Sequence, residues 1–407
     1  METNFGEHIA MTLLLTIAVI LLIIALWLSL DFTLGRKIQL KGLRQISPPF
    51  RASNIDIFTK GPELFADFFS ELKKAKHHIH ILFYIVKDDA ISKEFLSILK
   101  ERADEGIEIR LLLDRMGSFP IKKKTIESLK SHGIHFSFAH IPKLPCLFYT
   151  FQARNHRKIT IIDGKIGFIG GFNIGKEYID LDPKLSPWRD YHLKLTGEGV
   201  ADLQKEFLID WNKETNTNLL GDKMYFPALQ TGRIHHKIMP SKGAFLEDTF
   251  SALINQAKTS ILIGTPYFIP SLRLLNDLHS ALTKGVSLTI LVPKVSDHIL
   301  VKEASYPYLR KLIENGAIVY EYQNGFYHAK TMIIDDEICD IGTANFDRRS
   351  LFINYEINCY IYDQPFIEKV LDVIKKDIQD SKQLSLTELN RRRNFKEYAA
   401  RLAAPLL

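Results

Sequence analysis

A chain of 407 residues that is 46% hydrophobic and 25% charged has room for two or three domains and is too apolar to be disordered. Its formal net charge of +6 suits anionic lipid or nucleic acid but selects neither by itself. The three cysteines, Cys146, Cys339 and Cys359, lack metal-ligand spacing and cannot all pair, so a disulfide scaffold is excluded and reduced thiols are expected.

Residues 9–30 form 22 consecutive positions without a charge. As a helix they would reach about 33 Å, enough to cross a bilayer. A cleaved signal peptide would start with a basic region, yet residues 1–8 hold Glu2 and Glu7 and no Lys or Arg. Arg36, Lys37, Lys41, Arg44 and Arg51 follow, against Asp31. The positive-inside bias therefore predicts a single pass through the cell membrane, with 1–8 outside and the bulk of the chain cytoplasmic. Residues 31–54, with Ser47-Pro48-Pro49, are expected to be a basic linker.

From residue 55 helices alternate with short apolar strands. Helix Leu64–Ala75, strand His78–Val86, a helix over 90–104, strand Ile107–Leu113 and a helix to Ser131 come first. The order then returns: Ala75-Lys76 reappears as Ala257-Lys258, Gly106-Ile107 as Gly285-Val286, and Gly133 as Gly316. This is a duplicated unit of about 170 to 180 residues. It predicts two pseudo-symmetric α/β/α sandwich lobes, 55–225 and 226–385, after one transmembrane helix, with an amphipathic tail over 386–407 packed on the core. Each lobe closes on a helix whose apolar stripe (Val200, Leu203, Phe207, Trp211; Phe366, Val370, Val373, Ile374) is expected in the core. The first lobe carries extra residues before its motif, with Pro142, Pro145, Phe148, Tyr149 and Phe151. They suit either the mouth of an apolar site or a packed loop.

The motif itself occurs twice. His156, Lys158, Asp163 and Asn173 recur as His328, Lys330, Asp335 and Asn345, with identical spacing. In an extended strand, residues i and i+2 share a face, so each His projects with its Lys. Asp163-Gly164 is a hairpin signal, and the returning strand can bring Asn173 back beside His156. Asp335 begins the matching turn, which can return Asn345 to His328. Asp163 and Asp335 are candidate catalytic residues by position, although holding the turn accounts for them better than touching substrate does. Two lobes face to face would surround one tetrahedral anion with two His, two Lys and two Asn. Lys and Asn would stabilise its charge, one His would attack phosphorus, and the other would protonate the leaving alcohol. Asp190 and Glu356 are candidates to orient the imidazoles through their second ring nitrogens. No carboxylate cluster adjoins the motifs, so no metal or cofactor is called for. His77, His78, His80, His132, His135, His235 and His236 lack a repeated context and are taken as ordinary. Arg348-Arg349 and Arg391-Arg392-Arg393 are taken as solvated faces or lipid-headgroup contacts.

At these residues the chain resembles the phospholipase D superfamily. Within it, the chain is similar to bacterial cardiolipin synthases through Arg154-Asn155-His156-Arg157-Lys158, Gly170-Gly171-Phe172-Asn173, Thr265–Pro270, Asn345-Phe346-Asp347-Arg348-Arg349-Ser350 and the ending Arg401–Leu407. Thr343 stands where the superfamily often has Ser, and one hydrophobic span where many cardiolipin synthases have two, as in a short, minor form. The resemblance implies transfer of a phosphatidyl group from one phosphatidylglycerol to another with release of glycerol. His156 would be the nucleophile and His328 the acid and then base. Lys158, Lys330, Asn173 and Asn345 would bind phosphate, Asp190 and Glu356 would orient the histidines, and no metal would take part. The partners it implies are phosphatidylglycerol and anionic membrane lipid, with no nucleic acid. A phospholipase D-type hydrolase, transfer to another alcohol, a membrane-tethered phosphodiesterase or nuclease, and a catalytically idle lipid-binding scaffold are the alternatives.

Overall fold

The computed structural model describes residues 2–393 and 395–403. Helix α1 (Glu2–Leu40) contains one segment long and apolar enough to cross a membrane, and its most apolar stretch touches nothing else in the molecule. The helix runs ten residues past the expected span, leaving only 41–50 as linker. Long-range contacts hold this extension. Asp31 accepts from the Tyr149 amide at 2.8 Å, and Gln39 donates to the Lys242 carbonyl at 2.7 Å. Gly35 allows it, since a Cβ there would fall 2.4 Å from the Tyr149 side chain.

The first lobe begins with β1 (Arg51–Lys60), a strand the sequence pattern had assigned in part to the linker. It continues with β2 (His78–Phe83), β3 (Glu108–Asp114), β4 (His135–Ala139), β5 (Ile159–Ile162), β6 (Ile166–Gly170) and β7 (Trp188–Gly197). In space the order is β1-β7-β6-β5-β2-β3-β4, with β2, β3 and β4 parallel to one another. The second lobe repeats this from β8 (Ile234–Lys242) outward: Tyr355–Ile361, Ile338–Gly342, Thr331–Ile334, Ser260–Gly264, Ser287–Pro293 and Ile318–Tyr322. β1 pairs antiparallel with β8, Arg51 opposite His236, so the half-sheets fuse into one sheet of 16 strands.

Apolar residues on both faces of these strands explain the layers. The helices Gly199–Thr215 and Gln364–Gln379 cover one face across the joint. Val200, Leu203, Phe207 and Trp211 share a single core with Phe366, Val370 and Ile374, as their stripes predict. Opposite, each lobe has its own core, one around Phe68 and Phe95 and the other around Phe250 and Leu278. The tail folds as helices Leu386–Arg391 and Phe395–Ala403, with Leu389 and Ala400 wholly buried. Arg310 anchors it by pairing with Glu397 and donating to the Leu389 carbonyl. Arg392 is not a free surface charge: it pairs with Glu321. The last four residues, part of the quoted ending, lie outside the described residues.

Candidate active site

Two short pairings across the joint build the site. Asn155 bridges in parallel to Tyr355, and the His156 amide donates to the Tyr355 carbonyl at 2.9 Å. In the other lobe, Phe326–Tyr327 pairs in parallel with Trp188–Arg189 of β7, and the His328 amide donates to the Arg189 carbonyl at 2.7 Å. Each His-x-Lys lies in the extended segment just before its strand, not within it as the pattern suggested, because that segment pairs with the opposite lobe. The i, i+2 alternation persists. Arg157, between His156 and Lys158, turns into the joint to meet Asp210 at 2.9 Å and the Glu356 carbonyl at 3.0 Å.

The carboxylates cross over. His156 Nδ1 lies 2.9 Å from Glu356 Oε2, and His328 Nδ1 lies 2.6 Å from Asp190 Oδ2. Each lobe thus holds the ring of the other, leaving Nε2 of each imidazole for the cavity. Glu356 is fixed in turn by the hydroxyls of Thr343 at 2.6 Å and Ser350 at 2.9 Å. The threonine in place of serine therefore keeps a hydroxyl in use. Gly171 is required where it stands, since a Cβ would fall 2.0 Å from the Asp190 carboxylate.

Both histidines, with Asn173 and Asn345, line one cavity of about 580 Å³. Asn173 is oriented by the Ile85 amide at 3.1 Å and the Tyr178 hydroxyl at 3.0 Å, and Asn345 by Asp347 at 3.2 Å. The two lysines lie behind the rings and are buried. Lys158 Nζ donates to the His156 carbonyl at 2.7 Å, and Lys330 Nζ is 3.4 Å from Asp190. Burial, only partly offset by Glu356, lowers the Lys158 ammonium to about 7. Burial together with Lys330 lowers His328 to about 4, against the pull of Asp190, and burial also lowers His156. All three shifts are of cations held back by burial, so an anion entering the cleft would raise them.

The two motif aspartates take no part in the cavity. Asp163 accepts from the amides of Lys76, His77 and His78, and Asp335 from those of Lys258, Thr259 and Ser260. Both tie the strand turn to the start of the neighbouring strand, and their positive φ (55° and 52°) is what such a tight turn demands. Among the described residues no group of three or more His, Cys, Asp or Glu could hold a metal ion.

A family model described as "Cardiolipin synthase, PLD-like domain" matches residues 68–185 and 250–378. The chain is 40% identical over 384 residues to the minor cardiolipin synthase ClsB of Bacillus subtilis strain 168, covering 94% of this chain and 96% of that one. This chain belongs to the cardiolipin synthase family. It is also 38% identical over 364 residues to the major cardiolipin synthase ClsA of the same organism, covering 87% and 76%. In fold, this member of the family is similar to the crystal structure of phosphatidylserine synthase from Haemophilus influenzae Rd KW20. That match has a TM-score of 0.71 at 16% identity, over 91% of this chain and all of the other.

Sequence reasoning missed part of the cleft of this cardiolipin synthase relative. Tyr84, Trp188, Asp297, His298 and Asn354 line it from outside both motifs. Arg349, expected on a solvated face, lines it too and donates to the Gln152 carbonyl at 2.7 Å. Arg349 and Tyr267, which also lines the cleft, stand in stretches through which the sequence resembles cardiolipin synthases. Asp297 and His298 lie in a loop with no pattern to reveal it.

Proposed function

We propose that this chain is a cardiolipin synthase acting by two-step phosphatidyl transfer. The observation that carries the proposal is the crossed arrangement, two imidazoles in one cavity with each Nδ1 held by a carboxylate of the opposite lobe. Such a carboxylate fixes the tautomer, leaving the Nε2 lone pair free to attack. In the first step His156 Nε2 attacks the phosphorus of one phosphatidylglycerol. The phosphorus–oxygen bond to the head-group glycerol breaks, and that oxygen takes a proton from His328. In the second step His328, now neutral, removes a proton from the hydroxyl of another phosphatidylglycerol. The resulting oxygen displaces His156 and forms cardiolipin. Lys158, Lys330, Asn173 and Asn345 bind the non-bridging oxygens, where charge must be stabilised as the bonds change. Burial and Lys330 hold His328 at about 4, so the phosphodiester's own charge must raise its pKa before it can act as an acid. Apolar α1 would anchor the chain in the cell membrane, and the cluster from Arg36 to Arg44 would keep the lobes cytoplasmic.

The test is the full chain in lipid nanodiscs with phosphatidylglycerol. Cardiolipin and glycerol should appear in equal amounts, and His156→Ala should abolish both. Phosphatidic acid as the sole product would make the protein a hydrolase instead.

A further inference from the structure

A second cavity, of about 340 Å³, lies between the charged end of α1 and the segment 140–153 that the first lobe has and the second lacks. We propose that it binds one anionic phospholipid, separately from the catalytic cleft. Its size falls at the lower end of the ~300–1,000 Å³ typical of ligand sites. Ile38, Ile141, Leu144 and Pro145 give it apolar walls, while Lys143 and Lys213 supply cations. Two polar atoms of its lining residues, the Tyr149 hydroxyl and His140 Nε2, are buried without a hydrogen-bond partner, and Tyr149 is only 2% exposed. Both atoms are closed to solvent, so a ligand would reach them only if the wall opened, and the apolar walls with the two lysine ammoniums are what would hold it. Glu214 is the carboxyl in the lining, and burial raises its pKa, which reduces its repulsion of an anion.

The position selects lipid over a soluble anion. Gly35 to Gln39, on the α1 side of the cavity, lie five to nine residues past Leu30, the end of the uncharged stretch. At 1.5 Å per residue that is about 8–14 Å along the helix, from the outer edge of a headgroup layer roughly 5–8 Å deep into the water just beyond it. The occupant would also touch the catalytic framework. Tyr355 lines the cavity, its carbonyl accepts from the His156 amide, and the next residue, Glu356, holds the His156 ring.

Cys146 offers a direct test. It lines this cavity, whereas Cys339 and Cys359 are wholly buried in the core shared by the lobes. The full chain carrying His156→Ala, which removes turnover, is placed in phosphatidylcholine nanodiscs with or without phosphatidylglycerol. Alkylation of Cys146 by a maleimide is then timed by intact mass. Phosphatidylglycerol should slow it about fivefold, the effect of a site some four-fifths occupied. Lys143→Gln with Lys213→Gln should remove the protection. Lys143→Gln alone, on an exposed side chain, should remove part of it and guards against misfolding of the double variant. Soluble glycerol 3-phosphate should not protect. Equal rates in both kinds of disc, protection that survives the double variant, protection by glycerol 3-phosphate alone, or a thiol inert in phosphatidylcholine would each overturn the proposal. Because the assay needs no turnover, its failure is distinct from a failure to make cardiolipin.

Discussion

From Gly133 to His156 the first lobe has 23 residues, and from Gly316 to His328 the second has 12. The extra length folds into the short helix Leu147–Gln152, which packs Tyr149 edge-on against Phe32 of α1 at 5.2 Å. The second lobe lacks this insertion and carries the tail helices elsewhere, pinned by Arg310 and Arg392. Yet the cleft hardly registers this difference: motif, crossing carboxylate and backbone pairing correspond on its two sides. Groups that must meet across the joint are fixed by each other, because His156 needs Glu356 and His328 needs Asp190. Neither lobe alone completes a site. Elsewhere no such requirement holds: the first-lobe insertion, together with Lys242 of the second lobe, grips the membrane helix, while the tail helices close the second lobe's core.

The most forceful way to break this comparison is to exchange the orienting carboxylates for amides. Glu356→Gln, in the second lobe, should behave like loss of the first-lobe histidine, with no phosphoenzyme detected by rapid quench even for a substrate with an activated leaving group. Asp190→Asn, in the first lobe, should behave like loss of His328, so that a p-nitrophenyl leaving group, which needs no acid, restores phosphoenzyme formation. Each should lower kcat by about 10²- to 10⁴-fold, the range of a lost acid–base partner or a mis-set tautomer. If each amide disabled the histidine of its own lobe, the crossed geometry would not govern the chemistry.

How much of this was legible beforehand follows from the range of the interactions. The His, Lys and Asn positions, the hairpin turns and the core stripes arise from spacing within about twenty residues, so periodicity exposes them. Asp190 and Glu356 could be picked out as carboxylates on apolar strands. Their crossing could not, since it depends on Phe326–Tyr327 adding to β7 and on the Asn155–Tyr355 bridge, contacts between lobes. The same limit explains α1. Gly35 and the charges around it look like a linker until Tyr149, from far along the chain, is seen packed against that glycine. Asp297 and His298 were out of reach because their loop, Ser296–Leu300, has neither helical nor strand period.

A finer comparison asks which lobe supplies the proton. Burial brings His328 down to about 4 and Lys158 to about 7, so at pH 7 neither is held fully charged. Both groups gain positive charge on protonation, so a bound phosphodiester raises both pKa values and the complex takes up protons. Calorimetry with a non-cleavable phosphonate lipid, in buffers of different ionisation enthalpy, should show uptake of roughly 0.5 to 1.5 protons at pH 7. Lys158→Met should remove the first-lobe share and leave the rest. Proton release, or no exchange, would mean that the cleft is already charged before substrate arrives.

The smallest expected effect separates the turn aspartates from the chemistry. In Asp335 burial works to raise the pKa, but the amides of Ser260, Thr259 and Lys258 outweigh it and bring the carboxyl down to about 2. A folded-state pKa below the ordinary 3.8 means that the stabilisation is complete above pH 4 and is lost as the pH falls from about 4 to 2. Asp335→Asn should therefore cost about 1 kcal/mol near neutral pH, as for a lost helix-cap acceptor, and lower Tm by roughly 2–4 °C. The loss should shrink toward pH 2, where the wild-type carboxyl is itself protonated. Asp163→Asn removes the charge and one of the two acceptor oxygens at the corresponding place in the first lobe and should lower Tm to a similar extent, while kcat at 25 °C stays within about twofold in both variants, since neither carboxylate lines the cleft. A hundredfold fall in kcat with Tm unchanged would place the aspartates in the catalytic set, and the likeness of the two turns would then be chemical rather than structural.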